Sequence, residues 1–256
     1  MNRATRIAFV TIVRKEVRRF MRIWVQTLIP PAITMTLYFL IFGNLIGSRI
    51  GEMGGFSYMA FVVPGLIMMS VINNAYSNVA SSFYSAKLNK SIEEMLVSPT
   101  PNYVILLGFV FGGALRGLLV GAIVTTLSLF FTDLPIHSLG VTILVILLSA
   151  LLFSLAGLVN AVFANSFDDI SVVPTFVLTP LTYLGGVFYS IDLLPEFWRN
   201  LSLFNPVLYL VNAFRYGMLG ASDVNIWVAL MGISAFLVAL FLFCLYLMER
   251  GDKLRQ

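Results

Sequence analysis

The sequence predicts an all-α integral membrane protein with six transmembrane helices. Only 11% of the 256 residues are charged, 16 Lys and Arg against 12 Asp and Glu, less than half the roughly 25% of an average soluble protein. Hydrophobic residues make up 59%, more than a soluble chain of this size keeps from water. The charges are clustered, and the gaps between clusters are long enough, at about 20 residues, for a helix to cross a bilayer. Six such segments lie at 23–46, 58–80, 103–131, 139–164, 170–190 and 226–248. Their apolar runs are continuous, unlike the alternating pattern of a membrane β-barrel. Disorder is excluded by the same hydrophobicity. One cysteine, Cys244, and one histidine, His137, leave no disulfide framework, and metal ligands are not expected.

Sorting the cations sets the topology. Arg3, Arg6, Arg14, Lys15, Arg18, Arg19 and Arg22 precede the first span, Lys87 and Lys90 follow the second, and Arg250, Lys253 and Arg255 end the chain. The opposite side carries Arg49, Arg199 and Arg215, and Arg116 lies within a span. Both termini are therefore expected in the cytoplasm. The first apolar run follows seven basic residues and is too long for a signal peptide, so it is expected to be retained.

Residues 1–22 hold an amphipathic helix. Ile7, Val10, Val13, Val17, Phe20 and Trp24 recur at helical steps beside a basic stripe. Such a helix lies in the inner interface, its cations toward anionic headgroups. The first span contains Pro30-Pro31, which predicts a kink. The second turns polar at its inner end. Asn73, Asn74, Ser77, Asn78, Ser81 and Ser82 are costly against lipid and must face another helix or a wet substrate path.

The inner loop 83–101 reads FYSAKLNKSIEEMLVSPTP. Ser91 and Glu94 have capping-box spacing, Ile92, Met95 and Leu96 share a face, and Pro99 and Pro101 end the helix. An apolar-faced helix there either packs under the bundle or docks a soluble partner. In the third span Arg116 costs about 2.5–3.5 kcal/mol at mid-membrane on insertion scales. Gly112, Gly113 and Gly117 beside it allow close helix approach. Arg116 is thus either a hydrogen-bonded anchor or a residue on a substrate path.

His137 lies in the outer loop 132–138. Asp168 and Asp169 in the inner turn 165–170 read as helix-capping acids. Pro174, Pro180 and Gly185-Gly186 break the fifth span. Residues 191–217 are too apolar for a plain loop, which predicts two outer re-entrant half-helices around Asn205-Pro206, with a seventh and an eighth spanning helix as the alternative.

No P-loop sequence and no HExxH motif occurs, and no acid sits mid-span. No catalytic residues are expected, and transport through such a chain would take its energy from elsewhere. A membrane scaffold or receptor that recruits a cytoplasmic partner without transport is the competing reading.

Several ordered segments carry a resemblance. KLNKSIEEMLVSPTP at 87–101, RFMRIWVQTL at 19–28, FVVPGLIMMSVI at 61–72, PTFVLTPLTYLGGVFYS at 174–190 and LLPEFWRNLSLFNPVLYLVNAFRYG at 193–217 resemble the ABC-2-type exporter permeases. The resemblance covers essentially the whole chain, 1–256, as one transmembrane domain. It implies a half-transporter of the bacterial inner membrane that pairs with a second copy of itself. Two copies of a separate P-loop subunit would hydrolyse ATP with Mg, and no nucleic acid is involved. It implies that 91–97 is a coupling helix with Ile92, Glu93, Glu94, Met95 and Leu96 facing the ATPase. Asn73, Asn74, Asn78 and Arg116 are candidates for the substrate path or for inter-helix polar contacts. Phe197, Trp198 and Phe204 would belong to an outer gate.

Overall fold

A computed structural model describes residues 3–251; the tail cations Lys253 and Arg255 used for the topology lie outside the described residues. Among the described residues the protein is helical, apart from connecting loops and one small antiparallel hairpin.

Helix α1 (Arg3–Arg22) leads into α2, a helical run over Trp24–Ile50. The predicted proline kink takes the form of a break at Leu28, with Pro30-Pro31 in the first turn of a restarted helix. There their missing N–H groups cost least. The Thr27 hydroxyl donates to the Phe20 carbonyl at 3.0 Å, across the junction of α1 and α2 at Ile23. Beyond Tyr38 the helix widens into a π-helical stretch over Phe39–Ile46. The hairpin pairs Glu52 with Ser57 and Met53 with Phe56. Gly54 and Gly55 form its turn with φ of 61° and 82°, values that glycine tolerates and most residues do not.

Helix α3 (Tyr58–Leu88) is the centre of the fold, buried over most of its length by the helices at Asn102–Ser128, Leu139–Phe163 and Pro206–Leu219. Its 31 residues extend about 46 Å, against about 30 Å of hydrocarbon. Its polar C-terminal end, expected from the sequence to be loop from residue 83, is helix as far as Leu88. Helices α4 (Ser91–Val97), α5 (Asn102–Ser128) and α6 (Leu139–Phe163) follow.

The fifth predicted span, 170–190, is irregular, and its helical run covers 167–183. Helix α7 (Phe167–Val173), a π-helical turn (Pro174–Leu178) and α8 (Thr179–Tyr183) make one run of 17 residues, about 25 Å long. Pro174 has no N–H to give the α-helical ladder, and Gly186, with φ of +70°, turns the chain away. Helices α9 (Glu196–Leu203), α10 (Pro206–Leu219) and α11 (Ile226–Arg250) complete the chain. Among the described residues, five helices are long and apolar enough to cross a membrane: α2, α3, α5, α6 and α11.

Two glycine ladders on α5 set the packing. A Cβ at Gly108 would meet Ile12, and one at Gly112 would come within 2.4 Å of Glu16 Cβ. Gly113 and Gly117 lie against Ala75 of α3. Small residues at four-residue spacing let backbones approach closely, and α5 uses one face for α1 and another for α3. Helix α1 therefore does not simply lie on the interface. It buries Ile12, Glu16 and Phe20 against the bundle and leaves Ile7 and Val10 exposed.

Candidate functional site

The polar residues singled out in the sequence converge where α1, α2, α3 and α5 meet. Glu16 is fully buried, and its Oε2 accepts from the Ser82 hydroxyl at 2.5 Å and from Arg19 Nε at 3.3 Å. Arg19 then donates to Asn78, to its Oδ1 at 2.8 Å and to its carbonyl at 3.0 Å. One turn outward, Arg116 donates to Asn74 Oδ1 at 3.3 Å and reaches the Thr27 carbonyl at 3.5 Å, at the break in the first span. Asn73 stays apart, its amide bonded to Met69 of its own helix. Glu16 Oε1, Asn78 Nδ2 and Arg116 Nε are buried without a protein partner. The cluster thus has hydrogen-bonding capacity beyond the bonds it makes. Glu16 carried a weak sequence signal, as the one acid among seven cations.

Below this cluster, α3 ends at a hinge. Lys90 adopts a left-handed conformation, with φ of 58°, and turns the chain into α4. The predicted capping box at Ser91 does not form. Lys90 occupies the N-cap position without a side-chain bond, and the Ser91 hydroxyl reaches back to the Ala86 carbonyl. A reciprocal box forms instead at Ser166 and Asp169, at the start of α7. The Asn165 amide and the Ser166 hydroxyl hold the Asp169 carboxyl below its ordinary pKa of 3.8.

The hinge is fastened to the 164–170 turn. Lys87 is buried and donates to the Val162 and Ala164 carbonyls, both at 2.9 Å. A cation there satisfies carbonyls at a helix C-terminus and meets the negative end of its dipole. Tyr84 donates to the Asn165 carbonyl at 2.8 Å. At sequence level Lys87 was only a loop charge; its role depends on carbonyls 75 residues away.

Within α4 the five docking candidates divide. Ile92 is fully buried and anchors the helix to the bundle. Met95 and Leu96 pack partly against the core, Glu93 is half-buried, and Glu94 is exposed. Val97, which was not among the candidates, is 87% exposed. Between α4, α1 and α5 runs a cleft of about 310 Å³, lined by Thr11, Lys15, Met95 and Ile105 among others.

The opposite end of the bundle holds a residue whose role the sequence does not disclose. Arg215, counted among the cations of the side opposite the termini, is fully buried in α10. Its guanidinium lies 3.8 Å from the centre of the Phe61 ring and donates to the Gly186 carbonyl at 2.6 Å and the Phe61 carbonyl at 3.3 Å. Asn212 Oδ1 accepts from Arg215 at 3.5 Å and from the Asp223 amide at 3.0 Å, and Asp223 accepts from the Ile191 amide. Arg215 therefore locks α3, the 184–190 turn and α10 together. The three outer-gate candidates are not one cluster. Phe197 and Trp198 stack edge to face at 5.3 Å, while Phe204 turns toward α11.

The model of the family described as ABC-2 type transporter matches residues 7–219. The chain is 61% identical over 250 residues to the inner membrane transport permease YadH of Escherichia coli strain K12, covering 98% of each chain. It is 26% identical over 215 residues to nodulation protein J of Rhizobium leguminosarum biovar trifolii, covering 84% of this chain and 82% of that one. With five helices of membrane-crossing length among the described residues and a match this complete, the chain belongs to the ABC-2 type transporter family, as a multi-pass inner-membrane transport permease subunit and not an enzyme.

Proposed function

We propose that the chain is the membrane half of an ATP-driven exporter and that α4 couples it to a separate ATP-binding subunit. The observation that carries this reading is the hinge at Lys90. It joins α4 to the end of α3, and α3 is tied to α1 through Glu16–Ser82 and Arg19–Asn78 and to the 164–170 turn through Lys87. A push on α4 would then be felt by the central helix and by both elements beside it. Both termini are cytoplasmic in this reading, α7–α8 is a short sixth crossing, and α9–α10 are re-entrant half-helices on the outer side. Two copies pair through α2 and α7–α8, and two ATP-binding subunits carry ATP and Mg. The exposed apolar residues Ile33, Leu37, Leu45, Phe176 and Val177 suit such a seam. The 1–256 unit acts as one transmembrane domain. Its substrate is unassigned.

The test is to co-purify the chain with its ATP-binding subunit, reconstitute both in vesicles and measure ATP turnover. An exporter half changes the turnover of the subunit and moves cargo with ATP. A scaffold would bind the subunit while leaving turnover unchanged and moving nothing.

A further inference from the structure

Between α6, α10 and α11 lies a hollow of about 430 Å³ with apolar walls, within the roughly 300–1,000 Å³ of small-molecule sites. Gly232 opens it, because a Cβ there would meet no atom within 4 Å. Along α11 it runs from Val228 to Phe236, about 12 Å at 1.5 Å per residue. Half of the hydrocarbon core is about 15 Å. One end is marked as an interface level by the exposed Trp227 and the Asn225 cap, and by Tyr209, whose hydroxyl donates to the Leu203 carbonyl at 2.8 Å. The other end is closed by Leu152 and Phe236. The mouth is continuous with the apolar face of α11, where Trp227, Met231 and Val238 are 71, 66 and 56% exposed. The helices of the seam proposed above contribute nothing to its walls.

We propose that this hollow holds one acyl chain of a phospholipid, entering from the outer leaflet. Its length, dry walls and aromatic, partly polar mouth fit a chain whose headgroup stays at the interface, and the surrounding face of α11 meets the same bilayer. The lipid then fills the space between the outer helices and the last span. Only the choice of leaflet rests on the topology proposed above.

The test uses the full chain in phosphatidylethanolamine and phosphatidylglycerol vesicles. These contain phosphatidylethanolamine with a diazirine either at the chain terminus or close to the ester. After irradiation, the terminal probe is expected to label peptides bearing Leu152 and Phe236, and the ester-proximal probe those bearing Tyr209 and Val228. Gly232→Leu fills the hollow and should reduce that labelling to the level at Leu242 and Tyr246, on the open face of α11; Gly232→Ala should give an intermediate loss. Labelling no stronger than at Leu242, or enrichment that survives Gly232→Leu in an assembled protein, overturns the site. Enrichment with the two probes in reversed order supports occupancy and overturns the leaflet assignment instead.

Discussion

Replacing Arg215 with Met removes a fully buried guanidinium while keeping much of its apolar stem. The residue lies over the Phe61 ring at 3.8 Å and donates to two backbone carbonyls and one side-chain oxygen at 2.6, 3.3 and 3.5 Å. Hydrogen bonds to charged groups contribute about 1.5–3 kcal/mol each, and a desolvated cation–π contact about 2 kcal/mol. These terms do not add, because removing the charge also removes its burial cost. Removing the donor leaves three buried neutral oxygens without this partner, at about 1–3 kcal/mol each, so we take a loss of about 3–5 kcal/mol after allowing for non-additivity. At roughly 2–4 °C per kcal/mol for a chain near this size, the melting temperature should fall by about 6–20 °C. The assay is thermal unfolding of the purified chain in detergent. The control is Arg199→Ala, whose ion pair with Asp192 is 51 and 60% exposed and contributes at most about 1 kcal/mol. Arg215→Lys keeps the charge but loses the planar fork and should fall between the two. If Arg215→Met melts with Arg199→Ala, the lock between α3, the 184–190 turn and α10 is refuted.

The remaining predictions concern the inner half. Gly112→Val drives a side chain into Glu16 and should cost about 1–3 kcal/mol by overpacking. Faster tryptic cleavage after Arg14, Lys15 and Arg18 would report release of α1. Lys87→Met removes the ammonium from the Val162 and Ala164 carbonyls and should lower stability by about 1.5–3 kcal/mol, read as increased hydrogen exchange over 160–166. Asp169 has a folded pKa below its ordinary 3.8, through the Asn165 amide first and the Ser166 hydroxyl next. The stabilising cap is therefore complete above pH 3.8 and is lost as pH falls through the lower folded value. Amide protection factors at Asn165 and Ser166 should show that loss in the native chain and be low at every pH in Asp169→Asn.

Much of the helical frame is legible in the sequence because a bilayer leaves few solutions. Long apolar runs between charge clusters become the five helices of crossing length, and Pro174 and Gly185-Gly186 already mark the fifth segment as irregular. What is not legible depends on distant partners. Arg215 is one cation among three on its side until Phe61 and Gly186 are placed around it. Ser91 and Ser166 both precede an acid by three residues, yet only Ser166 caps, because the left-handed Lys90 turns Ser91 back toward Ala86. Ile7 and Ile12 look alike in a helical pattern, and Gly108 and Gly112 on another helix decide which stripe is buried. The Asn and Ser residues of α3 are legible as a polar face. Their division between Asn74 with Arg116 and Asn78 with Arg19 requires the register of three helices.

The central claim is that α4 transmits ATP hydrolysis to the bundle through the hinge at Lys90. The direct measurement is binding and ATP turnover of the separate ATP-binding subunit with the Glu93→Arg/Glu94→Arg chain, in vesicles, after equal assembly has been verified. The account predicts that binding weakens and that the permease-dependent change in turnover is lost, while thermal stability of the chain stays close to that of the native protein. Full binding with unchanged coupled turnover would contradict it.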